Sequence, residues 1–196
     1  HRVKNNFQLI SSLLNLQSAK IKDKVAYLAV KDSQMRINSM ALVHQRLYFS
    51  KEIASIDMQD YFEKLLDQIA SANELPSKKI AHVVSAHGIS FSTDTAVPMG
   101  LLVSELITNS YKYAFSDVYT GKIEVKMREF ELNRYTLQIG DDGVGLPESI
   151  DLKNLNSLGL ELVQILSEQL DAQLDIKSNN KEGVKVTLRF DIINTP

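Results

Sequence analysis

Residues 97–115, VPMGLLVSELITNSYKYAF, constrain the fold more than any other stretch of this chain. Set on a helix at about 100° per residue, Met99, Leu102, Val103, Leu106, Ile107, Tyr113 and Ala114 fill one broad arc, while Glu105, Asn109 and Lys112 stack opposite them. The spacing predicts a core helix with one polar stripe. An acid, an amide and a base at i, i+4 and i+7 are helical neighbours. The amide oxygen suits a hard divalent cation, the carboxylate can orient a ligand water, and the ammonium can meet anionic oxygens. The same pattern describes the solvated face of an ordinary amphipathic helix, so other segments must decide between the two.

A chain of 196 residues, 44% hydrophobic and without a low-complexity tract, can bury a real core. With 22 basic against 24 acidic residues the net charge is -2, so the whole-chain electrostatics call for neither nucleic acid nor an anionic membrane as partner. The absence of cysteine removes disulfides, thiolate catalysis and cysteine metal sites. Neither a bilayer-spanning apolar run nor an N-terminal targeting segment is present. The first residue is His rather than Met, and the expectation is a cytoplasmic fragment whose longer parent carries any membrane anchor upstream.

Residues 1–21 read as a helix in which Val3, Phe7, Ile10, Leu14, Gln17 and Ile21 recur at steps of four and three, a heptad seam. Leu9, Leu13 and Leu16 add a second apolar row, widening the face to that of a four-helix bundle. His1 falls on the opposite, wet arc with Lys4, Asn5, Gln8, Ser12 and Asn15. A second helix to about residue 49, carrying His44 on its apolar stripe, makes a hairpin. A hairpin alone exposes two apolar faces, so a homodimer through residues 1–50 is expected. Residues 50–57 break the pattern, and Asp57 is a plausible N-cap for a helix over 58–72.

Beyond it the periodicity becomes extended. Segments 80–86, 89–92, 123–127, 135–139, 174–176 and 184–192 read as strands, most with the alternation of a half-buried sheet. The second part should therefore be a mainly antiparallel sheet with one wet face, covered on the other by helices 58–72, 97–115 and 158–171, with Pro98 near the first turn of the middle helix. The class is α+β.

Strand 134–139 runs into Gly140-Asp141-Asp142-Gly143-Val144-Gly145, where D-x-G-x-G sets a carboxylate at the mouth of a glycine turn. Asp141 can accept from a neutral exocyclic amine such as that of adenine, although Asp and Gly are also the commonest turn residues. A polar, aperiodic segment then reaches Ser157-Leu158-Gly159-Leu160, which opens a helix. A loop ending at a helix N-terminus suits a polyphosphate, because free N–H groups and the positive end of the dipole face the anion.

The set H-R-V-K-N-N at 1–6, E-L-I-T-N-S-Y-K-Y at 105–113, D-D-G-V-G at 141–145, S-L-G-L at 157–160 and G-V-K-V at 183–186, in that order, resembles a sensor histidine kinase, in the subgroup whose phosphoacceptor helix begins H-R-x-K-N-N. The resemblance covers essentially the whole chain. It implies a dimerisation and histidine-phosphotransfer hairpin over 1–52 and, over 53–196, the ATP-binding α/β sandwich with a mainly antiparallel mixed sheet shared with gyrase, chaperone and mismatch-repair ATPases. By that likeness His1 is the phosphoacceptor, Asn109 the Mg²⁺ ligand, Glu105 its helper through water and Lys112 a phosphate contact. Asp141 would read adenine, while Gly143, Gly145, Ser157, Leu158 and Gly159 would shape the ATP pocket and lid. The implied activity is ATP-dependent autophosphorylation, followed by transfer to an aspartate of a response-regulator receiver domain.

The chain departs from the family pattern at several places. Arg2 stands where many histidine kinases carry an acid after the phosphoacceptor, which leaves the general base open among an upstream acid, Glu105 or no protein base. Asn5 lacks the acidic companion associated with phosphatase activity. Ser157 replaces a frequent glycine and Val184 a frequent threonine, both of which would lower nucleotide affinity. Two other readings are a serine kinase or ATPase of the same superfamily, and a dimeric docking module with weak or no nucleotide binding.

Overall fold

In a computed structural model the chain divides into two compact units, residues 1–54 and 55–196. The residues described are 2–24, 26–27, 30–31, 33–34, 37, 55–73, 78–116, 119–146, 158–178 and 182–192, with the side chains of 2–8 and 158 left aside. His1, His44, the end of the expected hairpin, and the loop with Ser157 lie outside the described residues.

In the first unit, α1 (Arg2–Ser18) is followed by further helical backbone among residues 24–37. The Gln34 side-chain amide donates to the Ser11 carbonyl at 3.0 Å, and Lys31 Nζ donates to Asn15 Oδ1 at 3.3 Å. The later residue meets the earlier one in both pairs, so the two segments run antiparallel. Leu9, Leu13 and Leu16 remain exposed, at 63%, 54% and 66%.

The second unit is an α+β layer structure. Strand β1 (Ile56–Asp57) leads into α2 (Met58–Ala72), and Asp57 Oδ1 accepts from Asp60 N at 2.9 Å, satisfying one of the helix's orphan donors. Next come β2 (Lys79–Ser85), β3 (Ser90–Phe91) and α3 (Thr93–Asn109), which continues as a π turn over Ser110–Ala114. The chain closes with β4 (Thr120–Glu131), β5 (Arg134–Asp141), α4 (Leu158–Gln169), β6 (Gln173–Ser178) and β7 (Val184–Asp191). The main sheet has the order β2-β4-β5-β7-β6; β2 pairs with β4 in parallel and every other pair is antiparallel. Strands β1 and β3 form a separate antiparallel pair.

Register aligns the apolar positions in rows across the sheet. Val84, Val125, Ile139, Val186 and Ile176 make one row, and Met127, Leu137, Leu188 and Leu174 the next. Val125, Leu137 and Leu188 are fully buried, each contributing about 1.5–3 kcal/mol through removal from water. Lys122, Glu124 and Lys126 alternate with this face and pair on the other, with Lys126 Nζ at 2.8 Å from Glu124. Helices α2 and α4 both pack on α3, whose buried residues include Met99, Leu102, Val103, Leu106 and Ile107.

Three local expectations are corrected. Helix α3 begins at Thr93, so Pro98 sits in its sixth position rather than near the first turn; the helix starts earlier because Thr95 N and Ala96 N both reach the Ser92 carbonyl. Tyr113, placed on the core arc, is 65% exposed, while Tyr111 is 8% exposed. The π turn has more residues per turn than an α-helix, so an extrapolation at 100° per residue loses phase after Asn109. The segment expected as strand 89–92 contributes only Ser90 and Phe91.

Candidate functional site

Helix α3 brings Glu105 and Asn109 one turn apart. Glu105 is only 7% exposed and has interactions within the protein, whereas Asn109 is half-buried. A solvated amphipathic face does not bury its acid, so Glu105 lies on the interior side of α3. Lys112 is half-buried within the π turn, the type of insertion often found at functional sites.

Asp141 is the last residue of β5 and its carboxylate is held from three directions. Oδ2 accepts from the Ser110 hydroxyl at 2.7 Å; Oδ1 accepts from Gly143 N at 3.1 Å and Val184 N at 3.3 Å. Such bonds to a carboxylate are charge-assisted and fix its plane. The adjacent Asp142 accepts from Lys122 N at 2.6 Å, pinning the turn to β4.

The glycine turn closes against the π turn. Val144 N donates to the Ala114 carbonyl at 2.9 Å, and a Cβ on Gly143 would lie 2.2 Å from that same oxygen. Only a residue without a side chain permits this approach. Gly183, just before β7, meets the same turn: its φ is +78°, and a Cβ there would lie 1.9 Å from the Asp141 carbonyl oxygen. Gly145 takes a φ of +75°. Leu146 N donates to Ser178 Oγ at 2.7 Å, and Gly159 is buried in the first turn of α4.

The π turn is also braced from β2. Tyr111 OH and His82 Nε2 share a 2.5 Å hydrogen bond, and Lys78 Nζ donates to the carbonyls of Phe115 and, at 2.7 Å, Ser116. Burial lowers the His82 pKa, opposed by the charge of Asp67, and burial raises that of Tyr111.

The structure thus brings Asp141 and Gly143 against the turn that follows Glu105 and Asn109. Sequence reasoning missed Ser110, Tyr111 and His82. Ser110 adjoins Asn109, but its role appears only when β5 is laid beside the π turn. Among the described residues no group of three or more His, Cys, Asp or Glu could cage a metal. Asn109 offers an amide oxygen and Glu105 a carboxylate one helical turn apart, donors of the type that suits a hydrated divalent cation, while Lys112 follows the change of phase at the π turn. No helix of the described residues is long and apolar enough to cross a membrane.

Residues 94–194 match the family described as histidine kinase-, DNA gyrase B-, and HSP90-like ATPase, and residues 1–73 match the family described as histidine kinase. The chain is 29% identical over 194 residues to the sensor histidine kinase PdtaS of Mycobacterium tuberculosis and 30% identical over 195 residues to the blue-light-activated histidine kinase 2 of Erythrobacter litoralis. Each alignment covers 98% of this chain, which spans 38% and 55% of those relatives' lengths. The histidine kinase domain of the Erythrobacter litoralis EL346 blue-light-activated histidine kinase superposes with a TM-score of 0.70 at 22% identity, over 93% of this chain and 95% of that one. At that identity the likeness is one of fold.

Proposed function

Because this chain belongs to the histidine kinase-, DNA gyrase B-, and HSP90-like ATPase family, we propose that it is the ATP-dependent, autophosphorylating core of a two-component sensor histidine kinase. The observation that carries the reading is the Asp141 carboxylate, fixed by Ser110, Gly143 and Val184 at the end of β5. A carboxylate held as an acceptor beside a glycine turn reads the exocyclic amine of adenine. Asn109 would hold Mg²⁺, Glu105 would support it through water, and Lys112 would meet the phosphates. Bound Mg²⁺ would offset charge on the phosphate oxygens. Gly145, Ser157, Leu158 and Gly159 border the phosphates and the lid.

His1 is the phosphoacceptor. Its neutral imidazole attacks the γ-phosphorus in line, an N–P bond forms, the bond to the β,γ-bridging oxygen breaks, and ADP leaves. The phosphoryl group then passes to an aspartate of a receiver domain. The active species is a homodimer through residues 1–50, supported by the exposed row of Leu9, Leu13 and Leu16, which a second copy would cover in a four-helix bundle. The working compartment is the cytoplasm, without nucleic acid as partner and without membrane contact by residues 1–196. Residues 1–52 and 53–196 act as the phosphotransfer and catalytic domains.

Radiolabelled ATP tests the reading. Acid-labile, base-stable label on the wild type that vanishes in His1→Gln is the expected result. Acid-stable label, or label that survives the substitution, would overturn it and favour a serine kinase of the same superfamily.

A further inference from the structure

The pairing of β2 with β4 and of β4 with β5 sets His82, Ile123 and Asp141 side by side in one row across the sheet. Ile123 in the middle is fully buried. The ends of the row are two strand spacings apart, about 10 Å. Two consecutive residues of the π turn reach those ends: Ser110 bonds Asp141 at 2.7 Å, and Tyr111 bonds His82 at 2.5 Å. The turn therefore straddles Ile123 with one foot on each outer strand.

We propose that His82 and Tyr111 are a positioning pair that sets how sharply the site discriminates adenine from other bases. The inference rests on the nucleotide-binding reading above and names residues to which the sequence assigns no role. Near Asn109 the Ser110 contact is a single point of attachment to the sheet, while Ala114, Phe115 and Ser116 are held farther along. The second foot fixes the direction from which Ser110 approaches Oδ2. It also fixes the Ala114 carbonyl, which receives Val144 N at 2.9 Å and so holds the glycine turn. Lys78, the residue before β2, holds the chain just past the turn through the carbonyls of Phe115 and Ser116. The contacts from Asp141, His82 and Lys78 together define one orientation of the segment that follows Asn109. Neither His82 nor Tyr111 has to touch the nucleotide for this to act, because their effect is transmitted through the backbone of Ser110.

The test uses the full 196-residue chain and reads ADP and GDP affinities, with Mg²⁺, by displacement of a fluorescent ATP analogue. Tyr111→Phe keeps the ring and removes the hydroxyl; His82→Leu removes the other partner. Each is expected to weaken ADP about tenfold, the scale of one hydrogen bond, while leaving the weak competition by GDP unchanged, so that the selectivity ratio falls. His82→Gln, whose amide can still bond the hydroxyl, is expected to retain ADP affinity within about threefold of wild type. Wild-type ADP affinity in both Tyr111→Phe and His82→Leu would overturn the proposal. So would equal losses for ADP and GDP, which is the signature of general destabilisation. Wild-type chain that binds neither nucleotide would instead overturn the nucleotide reading itself, and the inference with it.

Discussion

Ser110 donates its hydroxyl to Asp141 Oδ2 at 2.7 Å, joining the first residue of a π turn to the last residue of β5. The contact ties together two segments 31 residues apart. It joins the end of the helix that carries Glu105 and Asn109 to the end of the strand that carries Asp141.

Replacing Ser110 with Ala removes one of three donors to the carboxylate and leaves Gly143 N and Val184 N in place. The carboxylate should lose orientation, at a cost of about 1–2 kcal/mol in binding, or roughly tenfold in affinity. Calorimetric titration with Mg²⁺ and ATP should show this loss, against near-complete loss in Asp141→Asn.

Asn109 is half-buried and contributes little to the core, so Asn109→Ala and Asn109→Asp should melt within a few degrees of wild type, on the scale of about 0.5–1 kcal/mol. Both should abolish metal-dependent autophosphorylation. Label incorporation that persisted in both variants would disprove the metal assignment while leaving the family intact.

Gly143→Ala places a methyl group 2.2 Å from the Ala114 carbonyl oxygen. Neither backbone can yield without breaking the bond from Val144 N, so the variant should lose about 1–3 kcal/mol of stability. Thermal melting should report a lowered midpoint, and nucleotide binding should fall with it.

His82 carries a pKa below its ordinary value of 6.5 because burial disfavours the charged imidazole. The neutral ring is the form the fold prefers, so its contribution is complete above the unfolded-state pKa. It is lost as pH falls from there through the lower folded-state value. Denaturant midpoints measured downward from pH 7.5 should therefore decline more steeply for wild type than for His82→Gln. Parallel declines in the two proteins would locate the acid sensitivity elsewhere.

Much of the second unit was legible because its periodicities are local. Asp57 caps α2 as expected, the strand alternation of 123–127 and 135–139 reports the buried rows directly, and the polar stripe of 97–115 drew attention to Glu105 and Asn109. The extrapolation failed at Tyr111 and Tyr113, since a single π turn changes the phase of every residue after it and no local signal announces the change. Pro98 misled for a related reason: proline favours a first turn, yet a long helix can lose one hydrogen bond and still form.

Local side-chain patterns suffice for the division into a helical part and an α+β part, the identity of the polar groups available, and the glycines that let the chain approach itself closely. All of these follow from side-chain type and spacing along one segment. Tertiary structure alone decided which groups meet. The register of β2, β4 and β5 sets His82, Ile123 and Asp141 in one row, and the π turn sets Ser110 and Tyr111 on its two ends. Strand order and register depend on burial across the whole sheet, which no single segment encodes. The Asp141 carboxylate is therefore held by a serine and two backbone amides drawn from three separate parts of the chain.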